Sequence, residues 1–239
     1  MHVDTGVQMG LTRNLARIAA LAAWVLIALA GCASEGGSRT ATAPPPGAAT
    51  SDATAGPPSG DFRVLGVAGA PVTVIEFTDL QCPYCARFAL GTWPQLRKRY
   101  VDSGQVQFVS RDLPLPFHPY ALPAAVASRC AGVQGRYWEY REALFRGQSQ
   151  LASAPYAAIA ERFGLDVPGF EACRTDPATA AAVREDAALA ARNGIASTPT
   201  FVIGRVVEGQ FQGEIVSGAQ PFESFAQKID ALLAEGARP

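Results

Sequence analysis

The sequence has little histidine and no excess of basic residues. The two histidines among its 239 residues are His2 and His118, which excludes a histidine-rich metal site. Twenty lysines and arginines stand against 21 acidic residues, for a formal net charge of −1. Because nucleic-acid binding needs surplus cations to neutralise phosphates, this balance excludes an electrostatic nucleic-acid binder. The 49% hydrophobic content excludes a wholly disordered chain, and the length suffices for one substantial core or two small ones.

An apolar run long enough to cross a bilayer is also missing near the N-terminus. The apolar stretch 18–30 follows a basic segment and falls short of the roughly 20 residues that a spanning helix needs. Such a pattern is typical of a secretory signal peptide. The stretch runs into Leu-Ala-Gly-Cys at 29–32, which resembles the lipobox of bacterial lipoproteins. By that resemblance residues 1–31 form a lipoprotein signal peptide and Cys32 is lipidated. The alternatives are an ordinary signal peptide with a chance cysteine and a retained, poorly spanning anchor.

Large apolar side chains are absent from residues 33–60, which consist of Ala, Gly, Pro, Ser and Thr apart from three charged residues. Because nothing in this segment can be buried, it predicts a disordered tether. Residues 32–60 then link a lipid anchor to a folded domain that covers residues 61–239. These features predict an extracytoplasmic protein that is lipid-anchored to a bacterial membrane, on the periplasmic side or the outer cell face.

The pattern of the folded part predicts an α/β protein. Residues 72–77 are β-rich and almost wholly apolar, as expected of a strand buried on both faces. A helix-like stretch from 83 to 100, with a kink expected at Gly91 and Pro94, leads to a second strand at 106–110. This order is a β-α-β unit.

A helical block of about residues 116–193 follows this unit. It is rich in alanine and has the period of a helix. Its candidate helices cover 121–130, 137–145, 155–163 and 176–193. Strand signals return at 200–203 and 214–217, with a turn or hairpin between them. An apolar stripe within residues 222–232 predicts a last helix.

The sharpest motif is Cys82-Pro83-Tyr84-Cys85, between the first strand and the helix that follows. The spacing puts both sulfurs on one face of the first helical turn, close enough for a disulfide. At the helix N-terminus the macrodipole favours the thiolate of Cys82, which is the attacking species in thiol–disulfide exchange. Cys85 is then the resolving thiol. A zinc half-site would need two further ligands, and a purely structural disulfide across so small a loop would constrain the unfolded chain little.

Two further positions fit this chemistry. Glu76 lies within the apolar strand, where an acid is costly unless it is paired or has a role. A carboxyl under the cysteine pair can accept or relay the proton of Cys85; the alternative is a side chain that faces a polar gap or solvent. Pro199 follows Thr198 immediately before a strand, and a cis bond there would expose the backbone of Thr198 to a substrate strand. From the residues alone, an ordinary trans proline is the better interpretation.

Three features together resemble the DsbA-like family of the thioredoxin superfamily. They are the cysteine motif after Val-Ile-Glu-Phe-Thr-Asp, the long helical insertion, and Ser-Thr-Pro-Thr-Phe at 197–201. The resemblance covers residues 61–239. It implies a thioredoxin fold with an inserted helical domain.

The resemblance also implies roles for individual residues. It makes Cys82 the nucleophile, Cys85 the resolving cysteine, Glu76 the buried acid and Pro199 a cis-proline that faces the disulfide. Substrate contacts are expected at Pro83, Tyr84 and Thr198. The Pro-Tyr dipeptide departs from the Pro-His of the strongly oxidising members, in which the histidine helps to stabilise the nucleophilic thiolate.

Two further cysteines, Cys130 and Cys173, lie in the helical block. In an oxidising compartment a leftover pair usually bonds. A link across 43 positions would stabilise the fold by about 3–4 kcal/mol in the chain-entropy model. We therefore expect a structural disulfide, with a second redox pair or two free thiols as alternatives. His118, at the entry to the helical block, is expected to pack or to form hydrogen bonds.

These observations predict an extracytoplasmic thiol:disulfide oxidoreductase that introduces disulfides into exported proteins. Its clients would be reduced or misoxidised exported proteins, and a membrane quinone-linked thiol oxidase would reoxidise it. No cofactor or metal is needed, because the cysteines carry the electrons, and we expect a monomer that does not bind nucleic acid. One alternative is a monomeric disulfide reductase or isomerase that a membrane donor keeps reduced. Another is a non-catalytic lipoprotein that holds clients in its groove.

Overall fold

A five-stranded mixed sheet forms the centre of the structure, a computed structural model that describes residues 60–153 and 156–236. Its strands are β1 (Val64–Leu65), β2 (Val72–Thr78), β3 (Val106–Asp112), β4 (Thr200–Val207) and β5 (Gln210–Ser217). They lie in the order β1-β3-β2-β4-β5, in which β2 and β3 are parallel and all other neighbours are antiparallel. The signal peptide predicted at 1–31, Cys32 and the tether up to residue 59 lie outside the described residues.

The helix after the cysteine motif is continuous but irregular. Its α-helical parts are α1 (Pro83–Arg87) and α2 (Trp93–Leu96), and its π-helical turns are Phe88–Thr92 and Arg97–Val101. In the region of the kink predicted at Gly91 and Pro94, the structure has the first π turn, which includes Gly91 and ends two residues before Pro94. Pro94 has no backbone N–H to donate to the preceding turn, so the regular α-helical ladder cannot pass through this point.

Within the described residues, five α-helices form the predicted insertion between β3 and β4. They are α3 (Ala121–Val133), α4 (Tyr137–Arg146), α5 (Tyr156–Arg162), α6 (Val167–Thr175) and α7 (Pro177–Arg192), with a 3-10 segment at Gln148–Ser153. The predicted cap of α7 is confirmed, because the Asp176 side chain accepts the backbone N–H of Ala178. Helix α6 is not among the predicted helices, although Asp166 caps it by accepting the backbone N–H of Gly169. None of the helices in these ranges combines the length and apolar character that a membrane crossing requires.

The two faces of the sheet pack against different helices. On one face, side chains such as Phe108 and Phe201 pack against α2, the π turns on either side of it and α8 (Phe222–Gly236). On the other face, β2 packs against α7 and the loop after it. A third apolar cluster fills the insertion and includes Cys82 and Cys85. The cysteine motif therefore lies where the sheet, its following helix and the insertion meet.

Candidate active site

Cys82 and Cys85 stand at the start of α1, just beyond the carboxyl end of β2. Cys82 is the N-cap residue and Pro83 lies in the first turn, where the lack of an N–H costs no helical hydrogen bond. Both cysteines are free thiols; Cys82 is 5% exposed and Cys85 is fully buried. The sulfur that is more open to attack is that of Cys82, which is the arrangement that a nucleophile with a resolving partner needs.

The surroundings of the two thiols push their pKa values apart. The hydrogen bond from the Cys85 thiol lowers the pKa of Cys82 to about 5 against the opposing effect of burial, and backbone N–H groups of Tyr84 and Cys85 add to this shift. Burial raises the pKa of Cys85 well above its ordinary value, and the negative charges of Cys82 and Glu76 raise it further. At neutral pH Cys82 is therefore a thiolate and Cys85 a thiol, as thiol–disulfide exchange requires.

The turn before β4 lies against the sulfur of Cys82. The Thr198–Pro199 peptide bond is cis, and in its thiol form Cys82 donates to the carbonyl oxygen of Thr198, 3.4 Å away. The N–H of Gly218 donates to the carbonyl of Pro199 at 2.8 Å and ties the turn to the end of β5. Tyr84, within the cysteine motif, is 54% exposed. The structure thus brings Thr198, the residue before the cis proline, to a sulfur that precedes it by 116 positions.

Glu76 is fully buried, which excludes a side chain that faces solvent. Its Oε2 forms an ion pair with Nη2 of Arg141, 2.5 Å away on α4, while its Oε1 has no hydrogen-bond partner within the described residues. Burial raises the pKa of Glu76, and the charge of Arg141 opposes that shift. Arg141 is not among the predicted site residues, because it is 65 positions away and no local pattern marks it.

The insertion also holds the backbone of the cysteine motif. Nε2 of Gln148 donates to the carbonyl oxygens of Leu80 and Cys82, both at 2.9 Å. His118 Nδ1 lies 2.8 Å from Oδ2 of Asp79, a buried residue whose backbone N–H donates to the sulfur of Cys85 at 3.5 Å. The prediction that His118 forms a hydrogen bond is confirmed. Gln148 and Asp79 are not among the predicted site residues. The partners of Gln148 are brought close only by the fold, and Asp79 reaches Cys85 through its backbone N–H, which its side-chain type does not indicate.

Cys130 and Cys173 form a disulfide, as expected, with their Cα atoms 5.7 Å apart. The bond joins α3 to α6 within the insertion. With these two joined, the free thiols of the described residues are Cys82 and Cys85. In the same part of the chain, no group of three or more His, Cys, Asp or Glu side chains is placed to hold a metal ion.

Known proteins that resemble this chain in sequence or structure have a thioredoxin-like fold. The family model described as thioredoxin matches residues 59–231. Among solved structures, the chain is similar to alpha-DsbA1 of Wolbachia pipientis, with 26% identity, a TM-score of 0.64, and coverage of 73% of this chain and 92% of that one. It is also similar to DsbA2 of Pseudomonas aeruginosa, with 28% identity, a TM-score of 0.57, and coverage of 72% and 94%.

The chain also resembles part of a much longer curated protein. It is 37% identical over 159 residues to the Na(+)/H(+) antiporter NhaA 3 of Salinispora tropica, a stretch that is 66% of this chain and 24% of that protein. The chain spans about a quarter of the length of such relatives, so the activity in their name is not carried over. The chain therefore belongs to the thioredoxin family and is a DsbA-like thiol:disulfide oxidoreductase, as its family match, its fold and its pair of free thiols show.

Proposed function

We propose that this oxidoreductase works as an oxidase, which introduces disulfide bonds into exported proteins. The observation that carries the proposal is the lowered pKa of Cys82, about 5. Whatever stabilises the thiolate stabilises the reduced form of the pair and thereby makes its disulfide a stronger oxidant. Hydrogen bonds from the Cys85 thiol and from backbone N–H groups supply this stabilisation, in a motif that has no histidine.

The transfer takes two exchange steps. A client thiolate attacks the sulfur of Cys82 in the Cys82–Cys85 disulfide; Cys85 leaves and takes up a proton, and a mixed disulfide joins the client to Cys82. A second client thiolate attacks the client sulfur of that bond, and Cys82 leaves as a thiolate, which its low pKa favours. The client has lost two electrons and the cysteine pair has gained them. We assign reoxidation of the pair to a membrane quinone-linked thiol oxidase.

The proton of Cys85 is assigned to Glu76, which accepts it or returns it as Cys85 changes between thiol and disulfide. Two observations support this role. The charge of Glu76 acts on the thiol of Cys85, whose pKa it helps to raise. Oε1 of Glu76 is buried and has no hydrogen-bond partner within the described ranges. A buried carboxyl with a raised pKa is suited to proton transfer closer to neutral pH than an ordinary carboxyl.

Client proteins are proposed to bind beside the cysteine motif, at Pro83, Tyr84 and Thr198. Tyr84 is exposed there, and the backbone of Thr198 faces Cys82. A client segment that lies extended along this turn would gain backbone hydrogen bonds while its cysteine reaches the disulfide. Such a site selects for a reduced or misoxidised chain that is still unfolded enough to present an extended segment.

The enzyme is proposed to act outside the cytoplasm, as a monomer anchored by lipid on Cys32. Three observations support this placement: the lipobox-like segment 29–32, the Cys130–Cys173 disulfide, and the likeness to DsbA proteins. Disulfides of this kind persist in oxidising compartments and are rare in the cytosol.

The reduction potential of the Cys82–Cys85 pair tests the proposal. The purified protein is equilibrated in glutathione buffers, its thiols are trapped by alkylation, and each cysteine is mapped by mass so that Cys130 and Cys173 do not contribute. The known range runs from about −120 mV for a strong oxidase to about −270 mV for a reductant. We expect a value toward the oxidising end. A value near the reducing end would make disulfide donation unfavourable and would favour the reductase or isomerase.

A Cys82→Ser variant separates catalysis from client holding. The proposed exchange begins at the sulfur of Cys82, so the variant should lose all disulfide transfer to a reduced client. A biological activity that survives this change would favour a non-catalytic, client-binding lipoprotein instead.

A further inference from the structure

An arginine and a tyrosine stack against each other at the cysteine motif. Tyr84 lies between the two cysteines and is 54% exposed, and Arg87, at the end of α1, is also exposed. The guanidinium carbon of Arg87 is 4.9 Å from the centre of the Tyr84 ring. Residues three apart on a helix are neighbours on its surface, and a cation above an aromatic face is attracted to it. The two side chains therefore form one exposed unit on the first turns of the helix.

The charge of Arg87 is not neutralised by an acid within the described residues. Most arginines in those ranges form ion pairs with Asp or Glu, on the surface as well as in the interior. Arg87 forms no such pair there, and its contact is with an uncharged ring. The field of an exposed cation of this kind acts on molecules that approach the protein.

The stacking directs this charge toward Cys82. Side chains of a helix lean toward its N-terminus, so that a residue covers the turn before its own Cα. Arg87 covers the ring of Tyr84, one turn closer to the helix start, where Cys82 is the N-cap residue. A compound that reacts at the sulfur of Cys82 therefore meets a positive charge at the same end of the helix.

We propose that Arg87, held by the ring of Tyr84, is a specificity-determining residue that favours clients with an acidic side chain beside the reacting cysteine. The inference rests on the proposed function and names a class of client for it. An acidic neighbour is attracted to the guanidinium while the mixed disulfide forms, and a basic neighbour is repelled. Two unit charges about 7 Å apart in water interact strongly enough to change a rate about threefold.

Three small disulfides of matched length measure this preference. Dithiodipropionate, hydroxyethyl disulfide and cystamine carry a carboxylate, a hydroxyl and an ammonium group, each separated from the sulfur by the same short carbon chain. The thiolate of Cys82 attacks one sulfur, the bond between the two sulfurs breaks, and one half leaves with the electron pair as a thiolate that takes a proton from water. Cys85 then gives up its proton by way of Glu76, attacks Cys82 and displaces the bound half as a second thiolate. The cysteine pair is oxidised and the probe is reduced to two thiols.

The first of these steps is the one that is measured. Reduced full-length protein is mixed with each probe at neutral pH and low ionic strength and quenched with acid, and the loss of the free Cys82 thiol is followed by mass. The rates with the two charged probes are divided by the rate with hydroxyethyl disulfide, so that a change in the thiolate itself cancels. In Arg87→Met we expect the relative rate of dithiodipropionate to fall about threefold and that of cystamine to rise about threefold. In about 1 M salt, which screens charges beyond about 3 Å, the wild type should approach the variant.

Matched variants separate this effect from a general change in charge. Lys98 is exposed, has no acidic partner in the described part of the chain, and lies on the same continuous helix, about 16 Å further from the cysteines than Arg87. Lys98→Met should therefore change the relative rates far less than Arg87→Met does. Arg87→Lys keeps the charge and should retain part of the preference. Tyr84→Phe keeps the ring and should retain the preference, whereas Tyr84→Leu releases the guanidinium and should weaken it.

A pair of reduced peptides extends the test to clients. The two peptides differ only by a Glu or a Lys beside their single cysteine, and each attacks the sulfur of Cys82 in the oxidised protein. The flanking charge also changes the reactivity of the peptide thiol, so the ratio of the two rates is compared between proteins. From the wild type to Arg87→Met we expect the ratio of the Glu peptide to the Lys peptide to fall about tenfold.

Equal relative rates in the wild type, Arg87→Met and Lys98→Met would overturn the inference, and the stacking would then be a contact without a part in recognition. Because Arg87 and Lys98 are both exposed, neither change disturbs the core. A wild-type protein that reacts with none of the three disulfides would contradict the proposed exchange at Cys82 itself. A reduction potential near the reducing end would contradict only the proposed direction of transfer, because the preference for charge is measured in relative rates.

Discussion

Cys82 and Cys85 have the same side chain and opposite shifts in pKa. The difference comes from how deeply each sulfur is buried and from the hydrogen bond between them. Cys85 is buried one turn inside α1, which favours its neutral thiol, and that thiol donates to Cys82. Each sulfur therefore depends on the other, and a change at one position must alter the pKa at its neighbour.

Removal of the Cys85 thiol should raise the pKa of Cys82. The hydrogen bond from Cys85 is the largest cause of the lowered value, about 5, so in Cys85→Ala we expect the pKa of Cys82 to rise toward that of an ordinary thiol. Alkylation needs the thiolate, so the rate of alkylation of Cys82 against pH measures this shift. The midpoint should move up by about one unit or more. Cys85→Ser keeps a hydroxyl donor and should move it less; equal midpoints in the two variants would contradict this explanation.

The elements of the insertion are joined by a covalent bond and by hydrogen bonds to the cysteine motif. The Cys130–Cys173 bond links α3 and α6, and Gln148 of the 3-10 segment binds the carbonyl groups of Leu80 and Cys82. The two contacts serve different ends, because the first limits the unfolded chain and the second limits local motion of the site.

Loss of the disulfide should lower stability. In Cys130→Ala/Cys173→Ala we expect the free energy of unfolding to fall by about 3–4 kcal/mol, since the closed loop spans 43 positions. Urea denaturation, with Cys82 and Cys85 reduced in both proteins, measures this difference. The pKa of Cys82 should stay as in the wild type. A loss of less than about 1 kcal/mol would mean that packing of α3 against α6 suffices.

Loss of the Gln148 amide should loosen the motif. Gln148→Ala leaves the carbonyls of Leu80 and Cys82 without this donor, so we expect faster amide exchange across residues 79–85 and a loss of about 1–2 kcal/mol of stability. Gln150→Ala, an exposed neighbour in the same 3-10 segment, is the control. Equal exchange rates in the two variants would show that other contacts hold the motif.

Local signals predicted those parts of the structure that local physics determines. The buried strand β2, the cysteine motif at a helix start and the cap at Asp176 all follow from neighbouring residues, and the structure contains each of them. Arg141 and Gln148 act on partners more than sixty positions away, and their own neighbours give no sign of it. The buried acid was predicted because a single charge in an apolar strand is conspicuous, whereas its cation sits in a helix rich in charge.

For the whole molecule, the proposed anchor is the feature that sets where the enzyme acts. Cys32→Ser should prevent lipid attachment, so we expect the protein to leave the membrane fraction of a bacterial host and to lose incorporation of labelled fatty acid. Cys82→Ser, which alters the active site alone, should remain with the membrane. Continued sedimentation of Cys32→Ser with membranes would point to another mode of attachment.

The contact of Cys82 with Thr198 has a consequence for the newly made chain before it has folded. If the chain is exported from its N-terminus, as the proposed location requires, Cys82 reaches the far side of the membrane 116 residues before Thr198, and Arg141 and Gln148 also arrive after the cysteines. Until those residues arrive, the two sulfurs lack part of the environment that tunes them. The half-translocated chain therefore carries thiols closer to ordinary reactivity, and it acquires its full redox character only when its last strands have been delivered.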